Sequence, residues 1–151
     1  MAINNDEYFL KTFAEVYYTL GGGYKENLYQ TALSIEYSNN SINHSLEVVI
    51  PVTYKGQYIG FERADIVIYN NFNPTVIIET KAQHTSVSKK EFNQLNKYLV
   101  NTGVNTGYLV NFFTTPVKIT PENIVKYLEI YKIENEVLYK FDGNTFNIHI
   151  W

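Results

Sequence analysis

Cysteine is absent from the 151 residues, and this absence limits the chemistry open to the chain. Without thiols there is no disulfide and no thiolate metal site, so any metal must be held by oxygen or imidazole ligands. Arginine is nearly absent as well, since Arg63 is the only one. The formal net charge of −3 argues against non-specific coating of nucleic acid, because such binding depends on neutralising phosphates. It remains compatible with an enzyme whose acidic metal site itself lowers the net charge.

Long apolar runs are also missing. No stretch approaches the ~20 residues of a membrane span, and the first residues have neither the basic flank nor the apolar run of a signal peptide. We therefore expect an intracellular, soluble protein without a membrane partner, in the cytoplasm or the nucleus. The length is typical of a single domain, which we expect to cover residues 1–151.

The spacing of apolar residues predicts an α/β (α+β) fold with a central mixed four-stranded sheet flanked by helices. A helix between the third and fourth strands allows these two strands to run parallel. The expected elements are helices at 6–20 and about 24–39, strands at 44–54, 58–69 and 75–83, a helix after a capping box at Ser88 and Glu91, and a strand at 104–113.

Residues 114–151 indicate an extension of this core. Thr120-Pro121-Glu122 has the pattern of a helix start, with proline at the first helical position. Alternating residues on both sides of Asp142-Gly143 predict a terminal hairpin.

Charged side chains interrupt two apolar strands at positions that a hairpin brings together. Glu79 and Lys81 are two residues apart, so they project from one face of the third strand. A turn near Asn71 to Asn73 places Asp65 opposite Glu79, with Cβ atoms about 5 Å apart. Two carboxylates that close repel each other unless a cation lies between them, and oxygen ligands suit Mg²⁺ or Mn²⁺. The pattern predicts a divalent metal on Asp65 and Glu79, with Lys81 activating a water over a phosphodiester. A solvated cross-strand ion pair is the competing interpretation.

Several spaced motifs resemble the GxxExxY proteins, which are similar to PD-(D/E)XK nucleases. The resemblance covers about residues 5–113, and it depends on several motifs occurring in one order. These motifs are Leu20 to Tyr29 with its three glycines, Arg63-Ala64-Asp65, Ile77-Ile78-Glu79-Thr80-Lys81-Ala82, Gln94 to Leu99, and Gly107 to Phe112.

The resemblance implies a restriction-endonuclease-like core and a nuclease or endonuclease that depends on Mg²⁺ or Mn²⁺, with endo and exo cleavage both left open. It assigns the metal to Asp65 and Glu79, makes Lys81 the catalytic lysine, and adds Glu26 as a further metal-site acid. Gln94 corresponds to a polar residue near the site. Glu26 could instead favour the dipole at the start of its helix, and Gln94 could be a surface residue.

Nucleic acid is the partner that the resemblance implies, with DNA as the expected form. Arg63, Lys89, Lys90 and Lys97 are candidate phosphate contacts, against the alternative of a solvated surface. Small nucleases that cut two strands often act as pairs, so a homodimer is left open. Two other functions remain open: a catalytically silent module for binding nucleic acid or protein, and an assembly protein that pairs through the edge of its C-terminal hairpin.

Overall fold

Four helices and seven strands follow one another along residues 5–151, the part of the chain that the computed structural model describes. No helix in this part is long and apolar enough to cross a membrane. The elements are α1 (Asp6–Leu20), α2 (Glu26–Asn39), β1 (His44–Tyr54), β2 (Gln57–Asn70), β3 (Asn73–Lys81), α3 (Lys89–Thr102), β4 (Thr106–Phe112), α4 (Ile124–Tyr127), β5 (Leu128–Glu134), β6 (Val137–Phe141) and β7 (Phe146–Ile148).

All seven strands belong to one mixed sheet and lie in chain order from β1 to β7. Only β3 and β4 run parallel, because α3 carries the chain from the end of one strand to the start of the other. The fold is therefore the predicted α+β arrangement, consistent with a restriction-endonuclease-like core. The prediction of four strands was wrong, since the C-terminal strands extend the same sheet instead of lying beside it.

The extension departs from the predicted helix near Thr120-Pro121-Glu122. A turn leads into the four-residue α4, and β5 then pairs with β4 along its whole length. Every residue of β5 except Glu134 is buried, so burial in the sheet outweighs the local helix signal. The predicted hairpin around Asp142-Gly143 is formed by β6 and β7.

Each face of the sheet has its own hydrophobic core. On one face, α1 and α2 pack Phe9, Phe13, Tyr29 and Leu33 against the strands. On the other face, α3 packs side chains that include Leu95 against the strands. Each large side chain contributes roughly 1.5–3 kcal/mol when fully buried. The α3 helix begins with the predicted capping box and ends at Gly103, whose positive φ stops the helix.

The hairpin between β2 and β3 fixes the register of the strands that carry the acidic residues. Asn71 and Phe72 form its two-residue turn, and both have positive φ, as a tight hairpin of this type requires. An irregularity between Ile68 and Tyr69 then shifts the pairing by one residue. Beyond this point Ile66 pairs with Ile78, so the register equals that of a turn centred on Phe72.

The glycine segment between α1 and α2 determines where α2 begins. A Cβ atom on Gly22 would lie 2.7 Å from Phe113 O and 2.7 Å from Thr115 N, so only glycine fits against this backbone. The Tyr29 hydroxyl donates a hydrogen bond to Gly21 O at 2.6 Å, and its ring stacks on Phe112. Tyr29 is thus a core residue, and these contacts place the first turn of α2, which carries Glu26, beside the sheet.

Candidate active site

The strands β2 and β3 separate just beyond the pair Ile66–Ile78, and carboxylates fill the gap. Continuing the register by one residue places Asp65 opposite Glu79. Side chains replace the missing ladder bonds here. The Asp65 N–H donates to Glu79 Oε1 at 2.8 Å, while the Thr80 N–H and hydroxyl donate to Asp65 Oδ2 at 2.8 and 3.0 Å. One oxygen of each carboxylate is therefore fixed by the opposite strand.

The other oxygen of each carboxylate is open. Within residues 5–151, no group donates a hydrogen bond to Asp65 Oδ1 or Glu79 Oε2. Both residues are buried, with 9% exposure for Asp65 and 3% for Glu79. Burial raises the pKa of Glu79 well above its usual range, and the neighbouring Asp65 carboxylate raises it further. Burial also raises the pKa of Asp65, although the Thr80 hydrogen bonds oppose this rise. Two neighbouring carboxylate oxygens without hydrogen-bond donors are suited to binding a hard cation.

The ammonium of Lys81 is the nearby positive charge. It partly opposes the rise that burial causes in the pKa values of Glu26, Asp65 and Glu79, so all three acids lie within its electrostatic reach. Lys81 itself takes no part in the ion pairs within residues 5–151, which join Lys132 and Lys140 to carboxylates elsewhere. The solvated ion pair that competed with the site interpretation is therefore not formed between Glu79 and Lys81.

Glu26 is the first residue of α2 and is half-buried near the gap. Burial raises its pKa, and the Asp65 carboxylate adds to the rise. Among the described residues, however, no three His, Asp or Glu side chains converge closely enough to hold a metal ion. Asp65 and Glu79 are the two acids that lie together in the strand gap. Glu26 is near enough to interact with them electrostatically, but the three do not form a set of metal ligands.

Gln30, which the sequence analysis did not single out, holds the backbone of Asp65. Its Nε2 donates to Asp65 O at 2.9 Å and to Glu47 Oε1 at 3.2 Å. Residues two apart in a regular strand share a face, but Ala64 and Ile66 pack in the cores on opposite faces of the sheet. The alternation of the strand is therefore broken at Asp65. Gln30 lies one helical turn after Glu26 on the same face of α2, and this spacing could have revealed it.

Thr80 and Tyr98 are two further residues whose contribution the sequence analysis missed. The Thr80 hydroxyl donates a hydrogen bond to Asp65 Oδ2 and so orients this carboxylate. Tyr98 on α3 is buried; burial raises its pKa, and the Glu79 carboxylate raises it further. Gln94 lies one turn earlier on the same face of α3. The spacing of Gln94 and Tyr98 on one face of a helix was the available signal.

An open cleft of about 650 Å³ lies beside Lys81 along α3. Four lysines and two glutamates line it, which leaves two positive charges in excess on a chain of net charge −3. Such a local excess attracts phosphates. The lining residues are Lys81, Lys89, Lys90, Lys97, Gln94, Asn93, Glu62 and Glu91. Three of the four predicted phosphate contacts thus share a cleft with the candidate catalytic lysine.

Arg63, the fourth predicted contact, is placed differently. It is exposed on β2 and does not line this cleft. Its guanidinium lies 5.5 Å from the centre of the Phe61 ring, in the position of a cation–π contact. The structure therefore gives Arg63 a neighbour on its own strand and separates it from the lysine cleft.

The pair of acidic residues in the strand gap is consistent with the family to which the chain belongs. Residues 5–124 match the family model of the PD-(D/E)XK nuclease superfamily, and the chain belongs to this superfamily. Nucleases of this superfamily generally use divalent metals such as Mg²⁺. No curated protein matches the chain.

A solved structure resembles the fold. The crystal structure of a protein named SSO0001 superposes with a TM-score of 0.50 at 22% sequence identity. The match covers 72% of this chain and 50% of that protein, so the chain spans half the length of this relative. At this identity the likeness shows the fold alone.

Proposed function

We propose that the chain is a metal-dependent nuclease that hydrolyses phosphodiester bonds in nucleic acid, with DNA as the expected substrate. Within the superfamily we assign it to the GxxExxY group, on the motifs that include Glu26 and Glu79. One observation carries the proposal: Asp65 and Glu79 meet in the strand gap, each with one oxygen fixed and one open.

The open oxygens, Asp65 Oδ1 and Glu79 Oε2, are the atoms that would hold Mg²⁺ or Mn²⁺. When bound, such an ion polarises a phosphate and lowers the pKa of a bound water. Thr80 keeps Asp65 oriented, and Gln30 fixes the backbone that carries it.

The chain's own residues then act on the substrate. Lys81, which has no ion-pair partner among the described residues, is free to orient a water and to offset charge that develops on the phosphate. Lys89, Lys90 and Lys97 bind neighbouring phosphates along the cleft. Gln94 lies in this cleft and supplies an amide close to the reacting group, while Glu26 adds negative charge that favours the metal.

Cleavage assays test the proposal. We expect the purified chain to cut at least one of four substrates, namely single- or double-stranded DNA or RNA, with Mn²⁺ or Mg²⁺ but not with EDTA. Lys81→Ala should lower the rate by a factor of roughly 100 or more. Lys11→Ala, on the exposed face of α1, is the matched control and should leave the rate unchanged. The proposal fails if no substrate is cut, or if Lys81→Ala cuts as fast as the unmodified chain.

A catalytically silent binding module is the second candidate, because no three acidic or imidazole side chains converge within residues 5–151. Such a module would bind nucleic acid in EDTA, cut none of the four substrates, and keep its affinity after Asp65→Asn. A homodimer likewise stays a prediction, which sedimentation of the purified chain would check.

A further inference from the structure

The loop of residues 82–88 connects two parts of the candidate site. It leaves β3 directly after Lys81 and ends at Ser88, the N-cap of α3. The first turn of α3 supplies Lys89 and Lys90 to the cleft. The path of this loop therefore sets the position of Lys81 relative to the lysines that face the phosphates.

Side chains from the middle of the sheet hold this loop at alternate residues. Asn111 on β4 is fully buried; its Oδ1 accepts the Gln83 N–H at 3.1 Å, and its Nδ2 donates to Thr85 O at 3.0 Å. Glu129 on β5 accepts the Val87 N–H at 2.9 Å. Without these two side chains, three backbone groups of the loop would lose their partners.

The two side chains form one row with the catalytic lysine. Asn111 pairs with Lys81 on one side and with Glu129 on the other, in the register of the three strands. Asn111 Nδ2 also lies 3.4 Å from Glu129 Oε1, which couples the two. Glu129 comes after residue 124, so it lies outside the segment that matches the superfamily.

Glu129 is a buried carboxylate whose two oxygens have different contacts. It is 8% exposed, and its second oxygen has only the Tyr131 hydroxyl at 3.3 Å and Lys140 Nζ at 4.0 Å. Removing a carboxylate from water costs several kcal/mol, and an apolar side chain would pack in the sheet without this penalty. An apolar side chain, however, could not accept the N–H of Val87.

We propose that Asn111 and Glu129 are positioning residues for the nuclease site, and that they act by fixing the loop of residues 82–88. The C-terminal strands then have a defined task, because β5 supplies one of the two anchors. The inference rests on the proposed function for its catalytic part. Its structural part stands on the hydrogen bonds to Gln83, Thr85 and Val87 alone.

Three variants of one residue and one matched control test the catalytic part. Glu129→Ala removes the acceptor of the Val87 N–H and should lower kcat by roughly ten- to a hundredfold, because small misplacements of reacting groups have effects of this size. Substrate affinity should change less than kcat, since α3 is held in place by its own core side chains. Glu129→Gln keeps an oxygen for Val87 and should restore most of the rate. Glu134→Ala, on the same strand and also beside a lysine, should leave kcat unchanged.

Glu129→Asp keeps the inference testable if the alanine variant does not fold. Its shorter side chain keeps the charge near Lys140 but withdraws the oxygen from the Val87 N–H, so kcat should fall as in the alanine variant. Equal kcat for Glu129→Asp and the unmodified chain would overturn the inference while leaving the nuclease proposal intact.

Amide hydrogen exchange separates the two proposals. The Val87 N–H should be protected in the unmodified chain and in Glu129→Gln, and should exchange much faster in Glu129→Asp, because its acceptor is withdrawn. This readout needs no enzymatic activity. A chain that cuts nothing but shows this exchange pattern would contradict the nuclease and retain the loop anchor. Unchanged protection of Val87 in Glu129→Asp would overturn the anchor itself.

Discussion

Glu79→Gln should stabilise the metal-free protein. Glu79 Oε1 accepts the Asp65 N–H at 2.8 Å, and a glutamine oxygen can accept the same bond. The substitution removes a buried carboxyl group whose ionisation is opposed by burial and by a second carboxylate, so at neutral pH it should raise the free energy of unfolding by on the order of 1 kcal/mol. For a domain of this size, each kcal/mol raises Tm by roughly 2–4 °C. Function and stability are therefore opposed at this residue.

The same substitution should remove the stabilisation that the metal provides. At a metal concentration of about 100 times Kd, binding adds about 2.7 kcal/mol to the unmodified chain. With one of its two open carboxylate oxygens replaced by an amide, the variant should gain far less. Thermal unfolding in EDTA and in excess Mn²⁺ therefore gives two measurements that move in opposite directions.

The pH dependence of the metal-free protein follows from the same carboxylates. The folded-state pKa values of Glu26, Asp65 and Glu79 are raised, so folding favours their protonated forms. Their favourable contribution to the free energy of unfolding is complete below the pKa values of the unfolded chain, near 4. It is lost as the pH rises through the pKa values of the folded state. In the Glu79→Gln variant, the free energy of unfolding should therefore fall less as the pH rises.

Glu62→Gln is the control for the thermal unfolding of Glu79→Gln in EDTA and in Mn²⁺. Glu62 lines the cleft but is exposed and lies outside the strand gap. This variant should keep the Tm of the unmodified chain in EDTA and its full gain with Mn²⁺. The reasoning is refuted if Glu79→Gln is less stable than the unmodified chain in EDTA, or if it gains as much from Mn²⁺.

Three further predictions concern the surroundings of the pair. Thr80→Val removes the hydroxyl that orients Asp65 but keeps the backbone N–H, so Mn²⁺ affinity measured by calorimetry should fall roughly tenfold, whereas Thr75→Val on the same strand should leave it unchanged. Replacing Lys89, Lys90 and Lys97 by glutamine should weaken DNA binding and reduce the slope of log K against log salt by up to about 3, and an unchanged slope would exclude these phosphate contacts. Gly22→Ala should lower the free energy of unfolding in urea by about 2 kcal/mol or more, because its Cβ meets backbone atoms at 2.7 Å; an unchanged midpoint would show that the segment can move apart.

Local patterns were sufficient to predict the central geometry. The facing positions of Asp65 and Glu79 follow from hairpin arithmetic, and this worked because the tight turn and the irregularity after Ile68 together restore the expected register. The shared face of Glu79 and Lys81 follows from strand alternation. The α3 capping box and the glycine that ends this helix depend on residues adjacent in sequence, and both were predictable.

Long-range contacts account for what the sequence did not reveal. β5 was missed because it is stabilised by pairing with β4, which no local pattern in residues 120–134 records. At the break in alternation, the backbone carbonyl of Asp65 accepts a hydrogen bond from Gln30, a residue 35 positions earlier. Glu129 supports a loop 42 positions before it in the chain. In each case the partner is defined only when the sheet is assembled.

The most direct test of the metal site is a crystal structure of the unmodified chain soaked in Mn²⁺ at neutral pH, with anomalous diffraction locating the ion. We expect one strong peak within coordination distance of both Asp65 Oδ1 and Glu79 Oε2, on the side that faces Lys81. An anomalous map without a peak at this pair, or with ions bound only elsewhere on the surface, would contradict the account.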